Sequence, residues 1–360
     1  MSIVKLMFIF CVATLIPIGA PALSVDSNGD RPNGARPNFV GLVQEAIDER
    51  DIARLESLLK GAPPGRPLSE ADGRIVYGLF NLMIFQSESN WAARVLELVH
   101  RALELGASAK RLVPTKTSDG AIVDSNLTAA DGALFQWGRL VAEHPSEAAK
   151  ISSRSILFFD ELLSSGQLTA DESITVNFAN NSSRKFKYLQ YPFISGATRD
   201  IYHYFLSKKP LLNAVDDAGW NTPMVIAAAG DLQALEDFAD TYDALETLEA
   251  FNFQCQQNFL PTVLHAAVNS INAGKTADEA ARIIEFLVSH GADPDQRSMY
   301  HDLIDETNFW AERNRVRASE FHKLGAYLKS NLPKLRLQFQ ESHLDACAAG
   351  LLKGQEPKGN

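Results

Sequence analysis

The chain has 360 residues, 46% hydrophobic and 22% charged, long enough to bury one large core or two ordinary ones and too apolar for wholesale disorder. Its formal net charge of −10 argues against nucleic-acid binding and against attraction to anionic lipid, and it would steer a basic protein partner inward.

Residues 1–22 hold Lys5, an apolar run from Leu6 to Ile16, helix-breaking Pro17 and Gly19, then Ala20-Pro21-Ala22. A charge, a short apolar stretch and small residues, in that order, predict a secretory signal peptide cut after Ala22 or after Ser24. The run is short for a bilayer and no other run approaches that length, so no integral span is expected after cleavage. The expected location is periplasmic or secreted. Cys255 and Cys347 would then be the remaining cysteines; an oxidising compartment permits a disulfide between them, and two small buried apolar side chains are the equal alternative.

Residues 23–37, rich in Gly, Pro, Asn and Asp, read as a linker. From Phe39 onward apolar residues recur at three- and four-residue spacing, the pattern of short helices. The best strand candidate is SITVNFA at 173–179, and other alternating patterns are nearly absent. Helix endings are expected at LESLLKGA (to Ala62), VHRALELGASA (to Ala109), FFDELLSSGQL (to Leu168), IYHYFLSKKPLLN (to Asn213), IIEFLVSHGADPD (to Asp295) and AYLKSNLPKL (to Leu335). Four of these stop on Gly61, Gly106, Gly166 and Gly291, where glycine can take the left-handed conformation that ends a helix. Helix pairs recurring at irregular intervals predict an all-α solenoid with loop insertions over 38–332, followed by a cap or tail over 333–360.

Two segments carry more detail: NAVDDAGWNTPMVIAAAGDLQALEDF at 213–238, and LPTVLHAAV at 260–268 leading into IIEFLVSHGADPD. They resemble ankyrin repeats, whose pattern runs D-x-x-G-x-T-P-L-H-x-A-A, a glycine turn, a second helix and G-A-D-P-N. The resemblance implies that Thr222 caps a first helix with Pro223 in its first turn, and that Gly230-Asp231 turns into a second helix with Leu232, Leu235 and Phe238 on its apolar stripe. In the next repeat Thr262 and His265 are implied to be hydrogen-bonded to one another, with Gly291 in the closing turn. The chain departs from the pattern at Trp220, Val225 and Val263, and SINAGKTADEAA expands the second repeat's inter-helix loop.

No histidine pair has the spacing of metal ligands, and Ala273-Gly274-Lys275-Thr276 lacks the upstream glycine and strand of a phosphate loop. Asp160-Glu161 and Asp216-Asp217 read as solvated-face and capping residues, and no nucleophile elbow is present. No catalytic residue, metal or cofactor is expected. Trp220, flanked by Asp217 and Asn221 at a repeat tip, is the candidate partner anchor; packing back over its own helix pair is its alternative. The expected function is a non-enzymatic, exported scaffold for protein–protein binding, with a bacterial periplasmic immunity protein that occludes a toxic effector as its analogue. The alternatives are a hydrolase built in 110–155 and 170–200, or a secreted effector that binds host proteins.

Overall fold

The computed structural model describes residues 38–85, 90–116, 122–177, 183–255 and 261–354, so the expected signal peptide and linker lie outside the described residues. No helix among these residues is long and apolar enough to cross a membrane. Contacts divide the chain into two compact units. One runs up to Thr175 and takes in Ala197–Ile201; the other holds Val176–Gly196 and everything from Tyr202 onward.

The first unit is built from helix pairs: α1 (Phe39–Asp48) with α2 (Ile52–Lys60), α3 (Arg74–Phe85) with α4 (Trp91–Glu104), and α5 (Ala129–Glu143) with α6 (Ala148–Ser164). First helices stack on first helices, α1 on α3 on α5, and second helices on second, α2 on α4 on α6. Such stacking buries an apolar stripe that no single pair could bury alone. Side chains start several of these helices: Asn38 accepts from the Gly41 amide at 2.7 Å, and Asp51 from Arg54 at 2.9 Å. At the centre of this unit the rings of Phe80 and Phe158 meet edge to face at 4.9 Å, and Trp137 lies 5.8 Å from Phe159.

Strands β1 (Leu112–Lys116) and β2 (Ile122–Thr128), antiparallel and with a register shift between Leu112 and Pro114, were not expected from the sequence. The proline cannot donate to the ladder and breaks the alternation that would have announced the strand. β3 (Ser173–Asn177) falls within the expected SITVNFA stretch and ends this unit's run, and β4 (Ser183–Lys187) opens the next.

The second unit repeats the same logic. Its short α7 (Tyr191–Ser195) and α8 (Arg199–Ser207, whose first turn counts with the other unit) precede three pairs. These are α9 (Thr222–Ala229) with α10 (Leu232–Thr241), α12 (Val263–Asn269) with α13 (Ala277–Ser289), and α14 (Leu303–Arg313) with α15 (Ala318–Gly354). α9, α12 and α14 form one row and α10, α13 and α15 the other, while α11 (Ala244–Phe251) is an extra helix packed on α10 and α15. The chain is thus all-α in class, each unit a stack of ankyrin-like helix pairs with hairpin or helix insertions.

Several expected boundaries move, each for a local reason. Gly61 has φ −91°, not a left-handed value; the prolines at 63 and 64 end that helix. Gly106, Gly166 and Gly291 do have positive φ, at 102°, 70° and 92°. α8 stops at Ser207 instead of reaching Asn213, because Lys209 turns left-handed (φ 48°) ahead of Pro210. The expanded loop is shorter than SINAGKTADEAA suggests: Thr276 and Glu279 form a reciprocal capping box that begins α13 at Ala277. α15 passes through Pro333 without ending at Leu335, since fully buried Leu328 and Leu335 hold it on both sides of the lost donor.

Candidate functional site

The tips between helix pairs in the second unit carry the residues singled out by the sequence. Around 213–222 the backbone folds on Asp216, whose Oδ1 accepts from the amides of Ala218 (2.9 Å) and Trp220 (3.0 Å), with Gly219 at φ 80°. The buried Asp216 carboxylate is ion-paired to Arg184 of β4. The Arg184 guanidinium lies over Phe186 at 4.7 Å and faces Trp220 at 5.8 Å, a cation–π stack that ties the tip to β4.

The three anchor candidates sit differently in this tip. Trp220 is half-buried, with one face committed to Arg184. Asp217 is exposed, but its Oδ2 accepts from the Lys185 amide at 2.8 Å. Asn221 is 0% exposed and leaves the candidate surface. Its Oδ1 accepts from the Met224 amide at 3.2 Å and its Nδ2 donates to the Ala250 carbonyl at 2.8 Å. Asn221, not Thr222, is therefore the cap of α9, and Thr222 and Pro223 occupy its first turn. The signal was readable: asparagine directly before Thr-Pro is the better cap.

In the next repeat Thr262 does cap its helix, α12. The Thr262 hydroxyl donates to His265 Nδ1 at 2.7 Å, and His265 Nε2 donates to the His301 carbonyl at 3.1 Å. Burial pushes His265 down to about 4, so the ring is neutral with its proton on Nε2. Its donor reaches the next tip, where residues 298–301 form a closed turn. The amide and hydroxyl of Ser298 both donate to the His301 carbonyl (3.0 and 3.1 Å), and the His301 amide returns to Ser298 Oγ at 3.1 Å. Met299 and Tyr300 stand at the apex of this turn, 60% and 59% exposed. Sequence reasoning missed them because a Met-Tyr pair in a loop has no periodicity to mark it.

Consecutive tips are tied by side chains. Asn252 Nδ2 donates to the Gly291 carbonyl and its Oδ1 accepts from the Asp293 amide at 2.8 Å; Gln254 Nε2 donates to the Arg297 carbonyl at 3.0 Å. Gly291 has both a positive φ and a neighbour, Leu248 Cδ1, that a Cβ would meet at 2.9 Å. Cys255 is buried with Sγ 3.4 Å from the Ala218 carbonyl, and the side chain of Cys347 lies outside the described residues. In contrast to the tips, two helices of the first-helix row are closed to solvent: α9 from Thr222 to Ala228 and α12 from Val263 to Val268 are buried without interruption.

The segments considered for a hydrolase bring one polar chain together within the first unit. Trp137 Nε1 donates to Ser152 Oγ at 3.0 Å, and Ser152 donates to Asp200. These bonds fasten α5 and α6 to Asp200, and Ser152 itself is buried. In the same unit buried Arg154 donates to the carbonyls of Met83 (3.1 Å) and Ile84 (3.0 Å), capping the end of α3. Of the acidic pair, Glu161 bonds His100 Nδ1 at 2.9 Å on the outer face. Among the described residues no group of three or more His, Cys, Asp or Glu side chains is placed to hold a metal ion. His290 lies against the Phe286 carbonyl, Asp293 accepts from the Asp295 amide, and Asp295 pairs with Arg336.

Among the solved structures to which the chain is similar is the crystal structure of the ankyrin repeat domain of Bcl-3, described as a unique member of the IkappaB protein family. The identity is 16%, over 76% of this chain and 94% of that chain, with a TM-score of 0.41. No family model matches the chain, and no curated protein matches it. What marks it as a helical-repeat protein is its own helix pairing, row stacking and cap geometry.

Proposed function

We propose that this chain is a non-enzymatic scaffold that binds another protein through its repeat tips, centred on the turn bearing Met299 and Tyr300. One observation carries the reading: two large apolar side chains stand exposed on a turn closed by three hydrogen bonds and anchored from behind by His265. A rigid display of this kind loses little conformational entropy on binding. Methionine and tyrosine are residue types enriched where proteins meet. Neither α9 nor α12 offers an exposed side chain that could add to the contact.

The partner is a protein with a basic contact surface, in keeping with the chain's net charge of −10. The signal-like order of residues 1–22 supports export, and an exported binding scaffold fits an immunity protein that occludes a toxic effector of a rival cell. The test is capture of partners by the mature chain from a periplasmic extract, compared with a Met299→Asp, Tyr300→Asp variant. The wild type should retain a partner that co-elutes in size-exclusion chromatography. The variant should lose it while its melting temperature is unchanged. An unaltered complex with the variant would remove the tip reading, and complete absence of the chain from the envelope fraction would remove the export reading.

A further inference from the structure

One turn of the second unit runs against the charge of the chain. Where α14 gives way to α15, Arg313, Arg315 and Arg317 surround Val316, which is 92% exposed. The Arg313 guanidinium lies over the Phe309 ring at 3.5 Å, which orients it and leaves its charge in place. None of the three arginines is ion-paired among the described residues. Of the carboxylates within four positions of Val316, Glu320 already accepts from the Ala277 amide at 2.8 Å and from Lys323 at 2.7 Å, which leaves Glu312. A lone exposed valine is ordinary, but one ringed by unpaired arginines has the apolar centre and polar rim of a contact site.

The complementary pattern occurs on α11, the extra helix that the repeat does not require. It lies in a stretch, Leu211 to Gly274, that holds nine acidic residues and no Lys or Arg. α11 exposes Leu245 beside Glu246 and Glu249. Glu246 accepts from the Asp243 amide at 3.0 Å and Glu249 from Asn213 Nδ2 at 2.9 Å, so both carboxylates are held in place. Neither has an ion-paired cation among the described residues. The two patches occupy opposite edges of the unit. Asn314 Nδ2 donates to Asn272 Oδ1 at 2.7 Å, so the arginine turn stacks on the α12–α13 turn, and the Lys275 side chain in turn lies against Gly230 of the α9–α10 turn. α11 follows the far end of α10, where Asn221 at the start of α9 donates to the Ala250 carbonyl. The 10 residues of α10 separate these edges by about 15 Å. The patches therefore cannot meet within one molecule.

We infer that the turn 313–317 docks on α11 of a second copy of this chain, with Val316 against Leu245 and the arginines against Glu246 and Glu249. Such a contact is heterologous, so copies add head to tail instead of closing a symmetric pair. It is also small, and the association is correspondingly weak. The net charge of −10 opposes it at long range. At roughly 0.15 M salt the Debye length of about 8 Å screens that repulsion across the molecule and leaves charges in contact attractive.

The test is sedimentation velocity of the full chain at that ionic strength, from about 10 to about 500 µM, the range suited to a contact below standard interface size. The weight-average mass should climb with concentration past that of a dimer. Arg315→Glu with Arg317→Glu should remain monomeric, and so should Leu245→Lys with Glu249→Lys. Mixing these two variants pairs one intact turn with one intact α11, so the equimolar mixture should form a one-to-one complex. Val316→Asp, at a position too exposed to disturb the fold, should weaken self-association about fivefold. A wild type that stays monomeric over the whole range, or association unmoved by reversal of the arginines, would overturn the proposal. Failure of the mixture to associate, with both variants folded by circular dichroism, would overturn docking on α11. A polyglutamate peptide or an oligonucleotide held by Arg315 and Arg317 of a chain that stays monomeric would give the turn another occupant and overturn the second copy.

Discussion

The two units use one architecture with different fastenings. In the second, consecutive tips are joined mainly by side chains: Asn221 to the Ala250 carbonyl, Asn252 to Gly291 and Asp293, and His265 to His301. In the first, backbone-to-backbone joins carry more of the load: the Leu68 amide donates to the Leu105 carbonyl and the Gly73 amide to the Leu112 carbonyl, both at 2.9 Å, beside side-chain bonds from the Ala109 amide to Gln167 Oε1 and from Arg111 to the Ser69 carbonyl, both at 3.1 Å. Either supplier satisfies the polar groups that a tight tip would otherwise strand. Only a side-chain supplier, however, fixes the letter at its position. A backbone join asks merely that neighbouring residues be small enough to let two strands of chain approach.

That difference can be broken from either side, and the largest expected effect is at His265. Its pKa is about 4 in the folded chain against an ordinary 6.5, so the unfolded state takes up the proton first as pH falls. Its contribution is therefore intact above 6.5 and is lost between 6.5 and 4, by about 3 kcal/mol in all. Urea melts across that window should show the slope in the wild type, and His265→Gln should flatten it. An unchanged slope in the variant would mean that other groups govern acid unfolding.

Asn221→Ala is next. It removes the α9 cap and strands the Ala250 carbonyl, an expected loss of about 2–3 kcal/mol in chemical denaturation. If Asn221 were a surface residue awaiting a partner, the loss would be within about 0.5 kcal/mol.

The first unit should respond to backbone crowding instead. At Gly73 an added Cβ would lie 2.4 Å from the Arg111 carbonyl oxygen, so Gly73→Ala should cost about 2 kcal/mol. Arg111→Ala, which removes an exposed side chain together with its bond to the Ser69 carbonyl, should cost no more than about 1 kcal/mol. A large loss at Arg111 with a negligible one at Gly73 would reverse the contrast.

The same contrast explains how much could be read in advance. The capping of α12 by Thr262, the Gly230-Asp231 turn and the Gly291 turn are side-chain or glycine devices, and each was visible as a letter at a spacing. The β1–β2 hairpin escaped because Pro114 interrupts its alternation, and α15 outran its expected end because burial around Pro333 outweighs one missing donor. At the candidate surface, Trp220 and Asp217 were readable as tip residues. That Asn221 is a buried cap, and that Met299 and Tyr300 hold the exposed position, depends on partners 29 and 36 residues away in the chain.

The sequence by itself determined the all-α class, the acidic balance and the two signature repeats, because helix periodicity, charge and capping letters are local properties. Tertiary structure alone decided which polar residues face inward and where Arg184 stacks. Those outcomes follow from what neighbouring repeats bring opposite one another, and no spacing within a single repeat encodes that.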